Sequence, residues 1–276
     1  MKYLRPSVIL LVIAFLAFGL LIPQLGFYWD DLPIAWIRYQ MGPDALKDYF
    51  VVARPVWGVL FQITNALIPE NPVYWQAFAF VWRWLCAVMV YVIIEKLWKS
   101  RTHTAVGVAL LFLLYPGFDQ HFAAYLYSHF YIVIFFFLFS FLCMLMADNS
   151  PKHYWILTIA GMLFSAMNLW MTEYFYTLEL VRVGIILVAI RDEKMRLPER
   201  FVRVLKMWTP YLAVFVVAVL SRLFIFNNQD YGIGLVDQLR SAPLDTLVTL
   251  ARSIRFTLQL VLKDAWVIPC RIHHVA

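Results

Sequence analysis

Charge is what this sequence holds least of. Asp, Glu, Lys and Arg supply 14% of its 276 residues, whereas 63% are apolar. A soluble domain is about a quarter charged and at most half apolar. A free-standing soluble globule is therefore excluded and a membrane is indicated. Cysteine is scarce too. Cys86, Cys143 and Cys270 stand far apart, and the first two fall inside apolar runs, where a thiol acts as a small core residue. No Cys/His spacing suits a zinc site, and no disulfide framework is supported. The adjacent His273 and His274 carry no specific signal. The net charge is +6, yet no array of aromatic and basic residues points to nucleic acid. Internal repeats, low-complexity tracts and a soluble domain are all lacking.

What is present is apolar runs and aromatics, with 11 Trp, 15 Tyr and 23 Phe. Trp and Tyr favour the membrane–water interface, where one side of a ring can be wet. A span needs roughly 17–25 mostly apolar residues. The runs predict seven: 7–26, 73–94, 104–118, 127–147, 154–172, 175–190 and 208–226, the third and sixth being short. Backbone groups in lipid must pair internally, and the alternation of a barrel strand is absent, so these are helices. The first run follows Lys2 and Arg5 as a signal peptide would. No small-x-small cleavage site precedes Trp29, so it is read as an uncleaved signal-anchor.

Loop charge sets the orientation, because Lys and Arg collect on the cytoplasmic side. With the N-terminus inside, alternation puts Lys96, Lys99 and Arg101 inside, then Lys152, then Arg191, Lys194, Arg196, Arg200, Arg203 and Lys206. The outer connections at 116–126 and 172–174 carry no Lys or Arg. The expected fold is thus an all-α polytopic membrane protein, a single membrane domain over 1–276. Its first outer loop, 27–72, is long and apolar. Stretches 32–40 and 54–68 are expected to be helices at the outer interface, with Pro33 and Pro55 in their first turns. Residues 243–263 read as an amphipathic helix within an outer tail, 227–276. Three basic residues there weigh against an eighth span.

Ionisable groups inside a membrane are costly and usually face a cavity or a partner. Here most gather at the outer ends of the predicted spans. Asp30 and Asp31 follow span one, and Arg54 opens the second interfacial helix. Asp119 and His121 follow span three, and His129 begins span four. Glu173 follows span five, Glu179 and Arg182 share a face of span six, and Arg222 ends span seven. Only Arg83 lies near mid-membrane. An outward-opening polar cavity follows as the expectation. Plainer roles compete at each position. Glu179 and Arg182 suit a structural ion pair. Arg222 suits snorkelling to headgroups, Arg83 suits a rest on carbonyls or its Trp neighbours, and the diacid suits a helix cap.

The "YWDD" diacid closing an N-in first span, then a long outer loop containing "RPVWGVLFQITNAL", then an aromatic-rich second span, resembles the membrane-embedded GT-C glycosyltransferases. These are related to protein mannosyltransferases and lipid-A aminoarabinose transferases, which take sugar from a polyprenyl-phosphate carrier. The resemblance covers about the first 230 residues. It implies Asp30 or Asp31 as general base toward an acceptor hydroxyl. The other acid would orient the acceptor or hold a divalent cation. Arg54 would face the carrier phosphate, with His121, His129 and Arg222 behind it, and Glu173 would bind sugar hydroxyls. The implied partners are the bilayer, a polyprenyl-phosphate-linked sugar and an unspecified acceptor. The implied address is a cell membrane, the inner one in a bacterium. Family members usually have more spans and often an outer soluble domain, so the chain reads as short at its C-terminal end. A transporter or flippase, a membrane acyltransferase and a non-catalytic membrane protein are the competing classes. A transporter should show discontinuous spans or repeated halves, and neither is apparent in the sequence.

Overall fold

The computed structural model describes residues 4–51, 54–99, 101–118, 120–225 and 234–267. Asp119, Cys270, His273 and His274 lie outside them. Regular structure among the described residues is helical throughout, with no strand. The chain divides into two compact units, one of 1–114 with 122–226 and one of 115–121 with 227–276.

Five helical segments in the first unit are long and apolar enough to cross a bilayer, which makes this an integral membrane protein. They are α1 (Leu4–Phe18) with the 3₁₀ run Gly19–Gln24, α5 (Pro72–Leu97), α7 (Ala124–Asp148), α8 (Tyr154–Met171) with the preceding turn Pro151–His153, and α10 (Leu197–Phe224). Two of the seven predicted spans emerge as shorter helices. These are α6 (Thr102–Leu113) and α9 (Glu179–Ala189), the latter entered through the 3₁₀ turn Glu173–Leu178. A 12-residue helix rises only about 18 Å, less than the roughly 30 Å hydrocarbon core. The large apolar residues left exposed on α1, such as Val8, Ile9, Val12 and Leu16, form a face suited to lipid.

Small residues let these helices approach. Ala87 of α5 and Ala105 and Ala109 of α6 pack with Leu10 and Ala14 of α1 into one buried cluster. At Gly161 on α8, an added Cβ would stand 2.6 Å from the Tyr211 hydroxyl of α10 and 3.2 Å from Cys143 Cβ of α7. Arg83 is buried, and its Nε and Nη2 donate to the Leu113 carbonyl at 3.2 and 2.7 Å. It thus places positive charge on the C-terminal carbonyls of α6, where the helix dipole favours it. Its guanidinium rests on Phe18 at 3.6 Å.

The segment between α1 and α5, the expected first outer loop, is folded. It holds α2 (Asp31–Met41), α3 (Ala45–Val51) and α4 (Pro55–Leu67). Pro33 falls in the first turn of α2, Pro55 opens α4 and Pro72 opens α5, as the fixed φ of proline favours. The short α3 has no counterpart in the sequence reading. The loop docks through Ile34, Leu46, Trp57 and Phe61, which join Trp75, Tyr125, Val133 and Met171 in a core beneath it. Gly58 brings α4 against α3, where a Cβ would meet the Lys47 carbonyl oxygen at 2.8 Å.

In the second unit, α11 (Gly234–Ser241) precedes α12 (Pro243–Gln259). A π-helical stretch, Leu260–Asp264, and α13 (Ala265–Val267) follow. The helix predicted over 243–263 is present with this change of winding in its last turns. Tyr115 packs against Trp266, with rings 5.9 Å apart, and its hydroxyl donates to the Val261 carbonyl at 3.0 Å.

Candidate functional site

Three predicted site residues from distant parts of the chain meet in one cleft. Arg54 is the residue before α4, which Pro55 opens, and its side chain makes no capping bond to the helix. Glu173 opens the 3₁₀ turn after α8, and the Thr172 hydroxyl accepts the Tyr174 N–H to fix that turn. Arg54 grips Glu173 with both prongs, Nη2 to Oε1 at 2.8 Å and Nε to Oε2 at 3.3 Å. Such paired geometry is the strong form of an Arg–carboxylate contact. Arg222, in the last turn of α10, brings Nη2 to 3.8 Å from Glu173 Oε2. The Arg54 guanidinium also lies 4.8 Å over the Tyr174 ring.

All three side chains are partly open to solvent, at 23% for Arg54, 34% for Glu173 and 24% for Arg222. Burial opposes charge on Arg54, but the hydrogen bonds and charge of Glu173 outweigh it and raise its pKa above the ordinary value. Burial likewise pushes Glu173 up, and its bonds to Arg54 with the charge of both arginines bring it below the usual carboxylate value. Thr172, Tyr176, Ser221 and Trp170 complete the lining. The interior holds about 20 Å³, room for a water molecule but not for a sugar. Two cations around one carboxylate leave the cleft with an excess of positive charge.

The diacid divides its two carboxyls. Trp29 takes a positive φ of 49°, unusual outside glycine, immediately before α2. Asp30 is exposed and makes no capping bond with its side chain. Asp31 is fully buried. Its Oδ1 accepts the Leu126 N–H in the first turn of α7 at 2.9 Å, which ties the start of α2 to the bundle. Its Oδ2 is buried with no hydrogen-bond partner among the described residues. Burial raises the Asp31 pKa to about 6, against the lowering effect of backbone N–H groups at Leu126, Tyr125 and Tyr28. Neither acid is among the residues lining the Arg54–Glu173 cleft. Among the described residues, no group of three or more His, Cys, Asp or Glu is gathered as a metal site would need.

The remaining predicted residues go elsewhere. His129 is fully buried under Phe61, with rings stacked at 3.6 Å. Its Nδ1 lies 2.8 Å from the Tyr125 carbonyl one turn back in α7, and its Nε2, 2.8 Å from the Thr64 hydroxyl, links α7 to α4. His121 belongs to the second unit, with Nδ1 3.2 Å from the Phe118 carbonyl. Glu179 and Arg182 are buried together, Nε to Oε2 at 2.7 Å and Nη2 to Oε1 at 2.9 Å. Ser140 of α7 and Ser165 of α8 lie 3.2 and 3.4 Å from Arg182 Nη2, and the guanidinium stacks 4.2 Å over Tyr211. This closed set ties α7, α8, α9 and α10 together, the plainer of the two roles weighed for it.

Sequence reasoning missed Arg38. Its Nη1 donates to Asn65 Oδ1 at 2.8 Å, and its Nη2 donates to the carbonyls of Asn65 at 3.0 Å and Ile68 at 2.8 Å. Those carbonyls close α4, and the Tyr125 hydroxyl donates to the same Asn65 oxygen. The one available signal was a lone Arg within an otherwise apolar interfacial helix. Comparison of the chain with family models, curated proteins and solved structures gives no match.

Proposed function

We propose that this protein is a membrane glycosyltransferase of the GT-C kind, with seven spans and a cytoplasmic N-terminus. It moves a sugar from a polyprenyl-phosphate carrier to an acceptor on the non-cytoplasmic face. The observation that carries the reading is the convergence of Arg54 and Arg222 on Glu173 from three separate helical segments. A lipid-linked sugar presents its phosphate at the interface, and two guanidiniums are suited to the charge that grows on a departing phosphate. In the closed arrangement Glu173 takes the place of that anion. Donor binding then parts Arg54 from Glu173 and frees the carboxylate for sugar hydroxyls.

The diacid has divided duties in this reading. A general base must come within hydrogen-bond reach of the acceptor hydroxyl, so the exposed Asp30 takes that role. Asp31, fastened to Leu126, holds the start of α2 and so positions its neighbour. With the α6 and α9 segments counted as the third and sixth spans, the basic stretches at 96–101, 152 and 191–206 fall on the cytoplasmic side.

The test uses the purified protein in liposomes with a set of polyprenyl-phosphate sugars and a mass-spectrometric search for the modified acceptor. Asp30→Asn should lower transfer by about 100-fold or more, the usual contribution of a general base. Transfer at the wild-type rate in both Asp30→Asn and Asp31→Asn would remove the diacid from the chemistry.

A further inference from the structure

A second pocket lies in the first unit at the other ends of the helices, away from the Arg54 cleft. It is formed where the last turn of α7, the first turns of α8 and the middle of α10 diverge. Its volume is about 180 Å³, several times the roughly 30 Å³ a water molecule occupies in the liquid. Asp148, Tyr154, Thr158, Arg203, Lys206 and Tyr211 supply its polar and aromatic lining.

The charges are uneven. Arg203 is held by Asp148 through a short ion pair, with Glu193 at 4.0 Å on its other side. Lys206, one turn further along α10, makes no ion pair among the described residues and is exposed. Asp148 cancels one of the two cations, so the lining carries an excess of one positive charge. Pro210, in the same wall, lacks the N–H that would bond the Lys206 carbonyl. Met144 and Met207 line the pocket beside these groups, and thioethers adapt to irregular apolar guests. The pocket therefore offers one cation, the Tyr154 phenol and the Thr158 hydroxyl beside the methionine thioethers, while the Tyr211 hydroxyl is buried.

We propose that this pocket binds the phosphodiester headgroup of an anionic phospholipid, its acyl chains running out past Met144 and Met207. Lys206 pairs with the phosphate, and the Tyr154 and Thr158 hydroxyls bond its oxygens or those of the headgroup alcohol. An inorganic anion would meet the cation but leave the methionine wall unused. Under the orientation proposed above, the pocket opens to the cytoplasmic leaflet, where basic pockets between spans meet anionic lipid. The site is independent of the outer cleft and of the glycosyltransferase reading.

Delipidated protein in a neutral detergent, titrated with phosphatidylglycerol or phosphatidylcholine and read by native mass spectrometry, tests this directly. Phosphatidylglycerol should be retained preferentially. Lys206→Gln should weaken its binding about fivefold, the effect of one cation near a lipid surface. Lys194→Gln, an equal charge change outside the pocket, should leave it unaltered. Thr158→Phe, which fills the pocket without changing charge, should also reduce retention. Equal retention of the two lipids, or equal effects of Lys206→Gln and Lys194→Gln, would overturn the site. Displacement of the lipid by inorganic phosphate at matching concentration would overturn its assignment to a lipid.

Discussion

Asp31 should make this protein less stable as the pH rises through the mildly acidic range. Its Oδ1 is satisfied by the Leu126 N–H, but Oδ2 is buried without a donor. Burial of the charge outweighs the backbone N–H groups at Leu126, Tyr125 and Tyr28, and the pKa moves from an ordinary 3.8 to about 6. The folded chain then holds its proton more tightly than the unfolded chain. Below about pH 4 both states are protonated and Asp31 has no effect on stability. Between about pH 4 and 6 the unfolded chain releases its proton first, so stability falls as pH rises. Above about pH 6 the loss is complete, and for a change from 3.8 to about 6 it amounts to about 3 kcal/mol. Asp31→Asn keeps an oxygen for Leu126 but has nothing to titrate. Thermal unfolding of both proteins in one detergent, across pH 4 to 7, isolates this group by difference. The wild type should lose stability relative to the variant by about 3 kcal/mol across that window. Parallel curves would show that Asp31 is not held in the environment described.

Other side chains give equally direct outcomes. Arg38→Ala removes three charge-assisted bonds to the end of α4 and should lower unfolding stability by about 2 kcal/mol or more, measured by chemical unfolding in detergent. Glu179→Ala strands Arg182 in the bundle and should cost about 3–5 kcal/mol, whereas Glu179→Leu with Arg182→Met should recover much of that loss in the same assay. Gly58→Ala sets a methyl against the Lys47 carbonyl oxygen and should destabilise the protein by about 1–3 kcal/mol, with faster proteolysis of the α2–α4 segment.

Apolar length was the most legible property of the sequence. Four of the five long helices match predicted spans within a few residues, because a run of that size has no soluble alternative, while α10 starts at Leu197 rather than 208 and takes in Arg200, Arg203 and Lys206, which were expected in the preceding loop. The helices at 32–40 and 54–68 were legible from their prolines and apolar spacing, and both occur within a residue or two of the expected limits. By contrast α3 is only seven residues and contains Lys47 and Asp48, too short a segment for periodicity to register. The direction of the diacid was not legible either. Neighbouring residues on a helix point about 100° apart, so one acid of an adjacent pair can be buried while the other is exposed. Arg54 and Glu173 were each singled out for outer depth, but their pairing spans 119 positions and only the packing of α4 on α8 reveals it. Depth alone misled for His129. An outer-end histidine reads as a ligand by sequence, while Phe61 and Thr64, both on a loop helix, enclose it.

The account rests on the outer cleft receiving the phosphate of a lipid carrier, and a binding comparison tests that most directly. Wild-type protein in nanodiscs should bind a polyprenyl phosphate well above the matching polyprenol. Arg54→Ala and Arg222→Ala should each erase much of that preference while leaving polyprenol binding unchanged. Equal affinity of the wild type for the two lipids, or an undiminished preference in both variants, would contradict the proposed site.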